Sequence, residues 1–429
     1  METSKRGQWG SSFGFLMAAI GSAIGLGNLW AFPYKMGKTG GFAFLVLYLI
    51  LVALVGVVGM LGEFALGRKT GKGAGGAYAA LGKKYSFIGW MAVISPFLIL
   101  SFYAVLGGMV LRYCLGFLVQ IFGADGFAGQ GSGFFGWLLY SGQSMILFFA
   151  LFLVCTMAIV MGGVQGGIEK FSKAVMPALG IILIGIIIFV AMQPGALEGY
   201  KFMFKPDMSL FSSPGSFFDV LKTASGQVFF SLSMAMGINI TFGSYLDKQK
   251  SLQKNAVIVP LFDTIFAVLA GMMILPACAA FHVDYAQGPG LLFASMQKVF
   301  LDGMGGQAGN IIGFLFYFLV FIAAVTSSIA LMEVLTSAVV DRQLDKGKEP
   351  NRKKTALLFA VLQFLIGIPV ALDALGSGGA VKLWVPAALA YGAEGDRTLG
   401  VGANETLYYE AELLDVQADA PAGGKSGGR

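Results

Sequence analysis

Gly21-Ser-Ala-Ile-Gly25-Leu-Gly27-Asn28-Leu-Trp30-Ala-Phe-Pro33 stands in the middle of an apolar run from about Phe13 to Met36. An unbroken membrane helix is the ordinary reading of such a run, yet this one carries three glycines, an asparagine and a proline. Glycine and proline cost roughly 1 and 3 kcal/mol each relative to alanine inside a helix. Backbone that leaves the helix at membrane depth persists only where it is buried in protein or lines a cavity. The stretch therefore predicts a broken helix whose exposed amides and carbonyls face a ligand.

The composition fits that reading. The 429 residues are 56% hydrophobic and 12% charged, with a mean hydropathy of +0.76. Most apolar runs exceed the ~18 residues that mark a spanning helix, so the class is an all-α polytopic membrane protein in a lipid bilayer. The net charge of +6 is spread through short loops, which argues against nucleic acid as a partner. Cys114, Cys155 and Cys278 lie in or beside apolar segments without paired spacing, so no disulfide framework is expected. His282, the single histidine, makes no metal site by itself. Lys5 and Arg6 imitate the start of a secretory leader, but the run after them is too long and lacks a cleavage site before a soluble domain. It reads as a retained first helix. No His/Cys/Asp cluster, nucleophile elbow or phosphate loop suggests an enzyme.

Hydropathy gives nine spans, at about 12–36, 42–67, 88–121, 142–162, 172–192, 217–246, 255–281, 307–341 and 355–374. Lys5 and Arg6 and the basic residues of 68–84, 170–173, 248–254 and 342–354 all fall on one side. The positive-inside rule puts that side, with the amino terminus, in the cytoplasm of a multi-pass cell-membrane protein. Two loops on the other side, 195–216 and 281–309, are long enough to read as lids. The membrane domain is expected to occupy 1–380. The remainder, 381–429, is a Gly/Ala/acidic tail with no segment long enough to cross a bilayer.

Span six repeats the anomaly of span one. Phe229-Phe-Ser231-Leu-Ser233-Met-Ala-Met236-Gly-Ile-Asn239-Ile-Thr241 gathers polar and small residues at bilayer depth. Alone, these are equally well residues at helix contacts. Interrupted segments at matching positions of two halves point to a transporter site built from inverted repeats. A channel would need a continuous polar lining or a ring of charges, whereas the polar positions here cluster at mid-membrane.

The stretch 21–28 followed by Trp30-Ala-Phe-Pro-Tyr34, Glu63-Phe-Ala-Leu-Gly-Arg68, Ser101-Phe-Tyr103, Phe229-Phe-Ser-Leu-Ser233 and Thr326-Ser-Ser328 resemble the neurotransmitter:sodium symporter family, especially its bacterial amino-acid transporters. The matches run in order from Arg6 to about Asp373. The resemblance implies a leucine-transporter-type fold, five helices plus five inverted, with helices one and six discontinuous, and sodium-driven symport of an amino acid. It implies two sodium sites. One would use the carbonyls of Gly21, Ile24 and Ala323 and the hydroxyls of Thr326 and Ser327; the other, the Ala23 carbonyl, Asn28, Ser231 and Asp263. A hard cation does need such a cage of oxygens, although Thr326 and Ser327 read alone are ordinary packing hydroxyls. The substrate carboxylate would lie on the amides near Leu26 and Gly27, at the positive start of a half-helix, with Tyr103 donating to it. Ser22, Ala23, Ile99, Phe230, Ser231, Ser233, Met236, Ser327 and Leu331 would complete the pocket. Met236 stands where many relatives carry an aromatic ring, and a deformable methionine leaves room. A large hydrophobic or aromatic neutral amino acid is therefore expected.

Glu63 and Glu333 are carboxylates at membrane depth, where each costs roughly 2.5–3.5 kcal/mol on insertion. Either is also readable as a helix-end group reaching the interface. Glu63 is expected to be structural, tying down amides freed by the broken helices. Glu333 lies near an inner gate that the resemblance builds from Arg6, Trp9, Tyr245 and Asp341. Chloride-dependent relatives complete an anion site around Tyr48, Gln227, Ser231 and a serine one turn past position 263. Here that position is Ala267, and Asp263 brings a fixed negative charge, so no chloride requirement is expected. Two departures stand out. Ala31 replaces the arginine that many relatives carry in the outer gate, and the tenth helix is not found. The reading is a sodium-coupled importer truncated or altered after its ninth helix, with a binding-only or inactive form as the alternative.

Overall fold

A computed structural model of the chain describes residues 6–211, 213–285, 288–373, 381–385 and 407–411. Each of the nine expected spans is helical. The first comprises Ser12–Ala23, a wide turn at Gly27–Ala31 and Phe32–Lys38. The second runs through Phe42–Leu51, Val52–Gly56 and Val57–Thr70. Ser86–Ile121 is the third and Gly142–Met161 the fourth. The fifth starts with a wide-turned Val164–Glu169 and continues as Lys170–Ala191. The sixth is split into Pro214–Ser231 and Ile238–Ser244. Leu252–Ala280, Gly306–Asp345 and Arg352–Asp373 follow. Beyond them, the strands Val381–Val385 and Leu407–Ala411 pair antiparallel; a five-residue strand is too short to cross a bilayer. The 380/381 boundary and most of the expected tail lie outside the described residues.

Both anticipated breaks are present. In span one the helix stops at Ala23, Ile24 is extended (φ −73°, ψ 104°), and the two arms are bent by 51°. Pro33 falls where the wide turn Gly27–Ala31 passes into Phe32–Lys38; lacking an N–H, it makes no helical bond back to that turn. In span six the backbone between Ser231 and Ile238 turns left-handed at Ser233 (φ 51°), Ala235 (φ 63°) and Gly237 (φ 71°). Glycine takes that region freely; the other two carry strain of order 1–3 kcal/mol each and need partners to hold them there.

Span eight is the central post. Of its most apolar window 78% is buried, against 33% for spans four, five and nine, which form the rim. Span two receives the second arm of span six very closely. A Cβ on Gly67 would lie 1.9 Å from the Ile240 carbonyl oxygen, so only glycine fits. The two long loops are packed caps built from short helices. Ala196–Phe204 lies against the end of span seven, and turns at Leu291–Ser295 and Val299–Met304 bury Leu291, Phe293, Met296 and Phe300.

Candidate substrate and ion site at the two broken helices

The two breaks face each other across a cavity of ≈ 30 Å³, room for about two water molecules. All the residues expected to contact substrate line it. They are Ser22, Ala23, Leu26 and Gly27 of span one, Ile99 and Tyr103 of span three, Phe230, Ser231, Ser233 and Met236 of span six, and Ser327 and Leu331 of span eight. Gly25, Asn28 and Ile238 also line it. The glycines set the spacing. A Cβ on Gly27 would sit 2.8 Å from the Phe230 ring, and one on Gly25 would sit 2.5 Å from Ser327 Oγ. At the polar end the Leu26 N–H donates to the Tyr103 hydroxyl at 3.3 Å. That amide opens the second arm of span one, so an anion placed there meets a helix N-terminus and a phenol together.

Two groups of oxygens flank the cavity. In the first, Ser327 Oγ donates towards the carbonyls of Ile24 (3.3 Å) and Ser22 (3.4 Å), and Thr326 Oγ1 donates to Ala323 (2.9 Å). Gly21 lies against Thr326, whose Cβ and Cγ2 are 3.4 Å from a Cβ placed on it. The second group is charged. Asn28 Nδ2 donates to Asp263 Oδ1 (2.8 Å) and to Ser231 Oγ (3.0 Å), and Ser231 donates to Asp263 Oδ2 (2.7 Å). Asn28 Oδ1 accepts the Gly25 N–H at 3.1 Å, so its amide presents nitrogen, not oxygen, to the carboxylate. All three side chains are buried. Among the described residues no cluster of three or more His, Cys, Asp or Glu occurs. The donors are carbonyls, hydroxyls and one carboxylate, which suits a hard monovalent cation.

Glu63 holds the break of span six. It accepts the Ala235 N–H at 2.8 Å and the Asn239 amide at 2.9 Å, and so fixes the strained residue. No contact from Glu63 to span one occurs among the described hydrogen bonds.

At the end that carries the basic loops, Arg6 pairs with Asp341 through two nitrogens, donates to Ser244 Oγ at 2.7 Å and stacks on Tyr245 at 4.6 Å. Burial disfavours its charge, but the paired Asp341 carboxylate outweighs that and holds its pKa above the ordinary arginine value. Trp9 donates to the Phe242 carbonyl at 3.0 Å. The cluster extends further than the sequence shows. Tyr245 donates to Glu333 at 2.6 Å, and Glu333 is gripped by both guanidinium nitrogens of Arg352. Asp341, Arg6, Tyr245, Glu333 and Arg352 thus form one chain joining the start of span one to spans six, eight and nine.

Sequence reasoning counted Arg352 only as a loop cation, since nothing in an Arg-Lys-Lys run marks the member that turns inward. It also passed over Glu169, buried in the wide turn of span five, which accepts the Gly10 N–H (2.6 Å) and the Ser11 hydroxyl (2.8 Å) ahead of span one. Lys35, inside the expected first span, lies in its second arm and reaches Gln227.

Two interrupted helices meeting a buried post, with oxygens around the break, define a secondary transporter of the leucine-transporter type. A family model described as the sodium:neurotransmitter symporter family matches residues 6–123 and 140–384. The chain is 34% identical over 375 residues to the uncharacterized sodium-dependent transporter YhdH of Bacillus subtilis, covering 87% of this chain and 80% of that one. It is 34% identical over 356 residues to an uncharacterized sodium-dependent transporter of Haemophilus influenzae, covering 80% and 76%. Among solved structures, MhsT in complex with L-phenylalanine superposes with a TM-score of 0.77 at 39% identity, over 88% of this chain and 82% of that one. The chain belongs to the sodium:neurotransmitter symporter family.

Proposed function

We propose that this protein imports a large neutral amino acid, hydrophobic or aromatic, together with sodium, by alternating access across the cell membrane, its basic end facing the cytoplasm. The observation that carries the reading is the cavity at the paired breaks, where the Leu26 amide and the Tyr103 hydroxyl converge beside apolar walls. The likeness to a transporter solved with L-phenylalanine supports an aromatic substrate. At ≈ 30 Å³ the cavity is contracted, and Met236 and Phe230 move apart when a large side chain enters.

Coupling follows from the shared backbone. Carbonyls of Gly21, Ala23 and Ile24 serve two sodium ions, and amides of Leu26 and Gly27 serve the carboxylate. Ions that fix the break therefore pre-form the anion seat, and the two affinities rise together. The Asp263 carboxylate supplies next to one ion the negative charge that chloride supplies elsewhere. The chain Asp341–Arg6–Tyr245–Glu333–Arg352 holds the inner side shut while substrate enters.

Equilibrium binding of radiolabelled tryptophan to the purified full chain tests this. Saturable binding in sodium chloride and equally in sodium gluconate, lost in choline chloride, is expected. A requirement for chloride, or glycine displacing label better than every aromatic amino acid, contradicts it.

A further inference from the structure

Lys35 is a half-buried ammonium on the second arm of span one, and among the described residues no carboxylate pairs with it. It donates instead to Gln227 Oε1 at 3.0 Å; Gln227, fully buried on span six, donates through Nε2 to the Gly27 carbonyl at 3.1 Å. A cation, an amide and a backbone oxygen thus form one chain that begins and ends on span one and passes through span six. Gln227 stands three residues before Phe230, so the two share a helix face. The Phe230 ring lies where a Cβ on Gly27 would be and borders the cavity. Fixing Gln227 against Gly27 therefore fixes the ring over the pocket. Lys35 also lies one helical turn beyond Ala31, on the same face, and Ala31 has no polar group to do this.

We propose that Lys35 is a positioning residue for the pocket: through Gln227 it holds the Phe230 ring over bound amino acid. A lysine is suited to this, because an ammonium hydrogen bond to an amide in a partly dry setting is strong yet is released without leaving a second buried charge behind. The proposal rests on the transport reading for its ligand, but the contact itself is independent of it.

The test compares wild type with Lys35→Met and Lys35→Arg in the full chain reconstituted in nanodiscs. Radiolabelled tryptophan bound in sodium is chased with unlabelled tryptophan. Lys35→Met is expected to release label about ten-fold faster, with the sodium dependence of binding unchanged, and Lys35→Arg to restore slow release. Equal release rates in wild type and Lys35→Met overturn the proposal. Substrate-free hydrogen–deuterium exchange gives a second readout. Peptides from 27–38 and 214–231 should exchange faster in Lys35→Met and not in Lys35→Arg, while those around Arg6 and Asp341 stay unchanged. If wild type binds no amino acid in sodium, the transport reading falls and exchange alone decides; identical exchange in all three proteins then overturns the role of Lys35.

Discussion

Met236 lines the pocket, and its substitution has a defined sign. Phenylalanine there adds rigid volume to a cavity of ≈ 30 Å³, and overpacking of this kind costs about 1–3 kcal/mol. Met236→Phe should weaken tryptophan binding roughly ten-fold or more while smaller side chains such as alanine are less affected; competition binding measures it. Asp263 carries the only full charge among the proposed cation ligands. Asp263→Asn keeps the shape and removes the charge, so the sodium concentration for half-maximal tryptophan binding should rise roughly ten-fold. Glu333→Ala leaves the Arg352 guanidinium in place without its carboxylate, a loss of about 3–5 kcal/mol for a buried pair. The melting temperature should fall sharply, and Glu333→Ala with Arg352→Met should recover most of it. Glycine, asparagine and proline in an apolar run were readable from sequence because a helix penalises them wherever they occur. Arg352 and Glu169 were not, because their partners depend on how separate spans pack. Ser11 is 158 residues from Glu169, and no local pattern records that contact.

Individual helices followed closely from hydropathy, since lipid removes alternatives to the helix. The two breaks were placed by composition, but their shapes were not. Only the fold shows that span six turns on Ser233 and Ala235 and that Glu63 and Asn239 steady it. The long loops read as lids, and they are built of packed short helices, because apolar residues scattered through them, Leu291 and Phe300 among others, find cover that sequence cannot foresee. The first arm of span one is held at its base by the Arg6–Asp341 pair and by Trp9. Asp341→Ala should release it. A cysteine introduced near Ser12 should then react faster with a cytoplasmic-side maleimide than in the Asp341-containing control, whereas equal rates argue that the pair does not latch this arm.

The whole molecule is a buried post, span eight, ringed by helices whose outer faces are apolar. Basic loops gathered at one end carry the proposed orientation. Lys201 and Lys348 are exposed at opposite ends, so Lys201→Cys should react with a membrane-impermeant maleimide in intact cells and Lys348→Cys only after permeabilisation. The central claim concerns transport, and uptake into proteoliposomes decides it. With sodium outside and none inside, the full chain should accumulate radiolabelled tryptophan above its external concentration, collapse of the gradient should release it, and replacing chloride with gluconate should leave the rate unchanged. Saturable binding without accumulation, or accumulation that persists without a sodium gradient, would contradict coupled import.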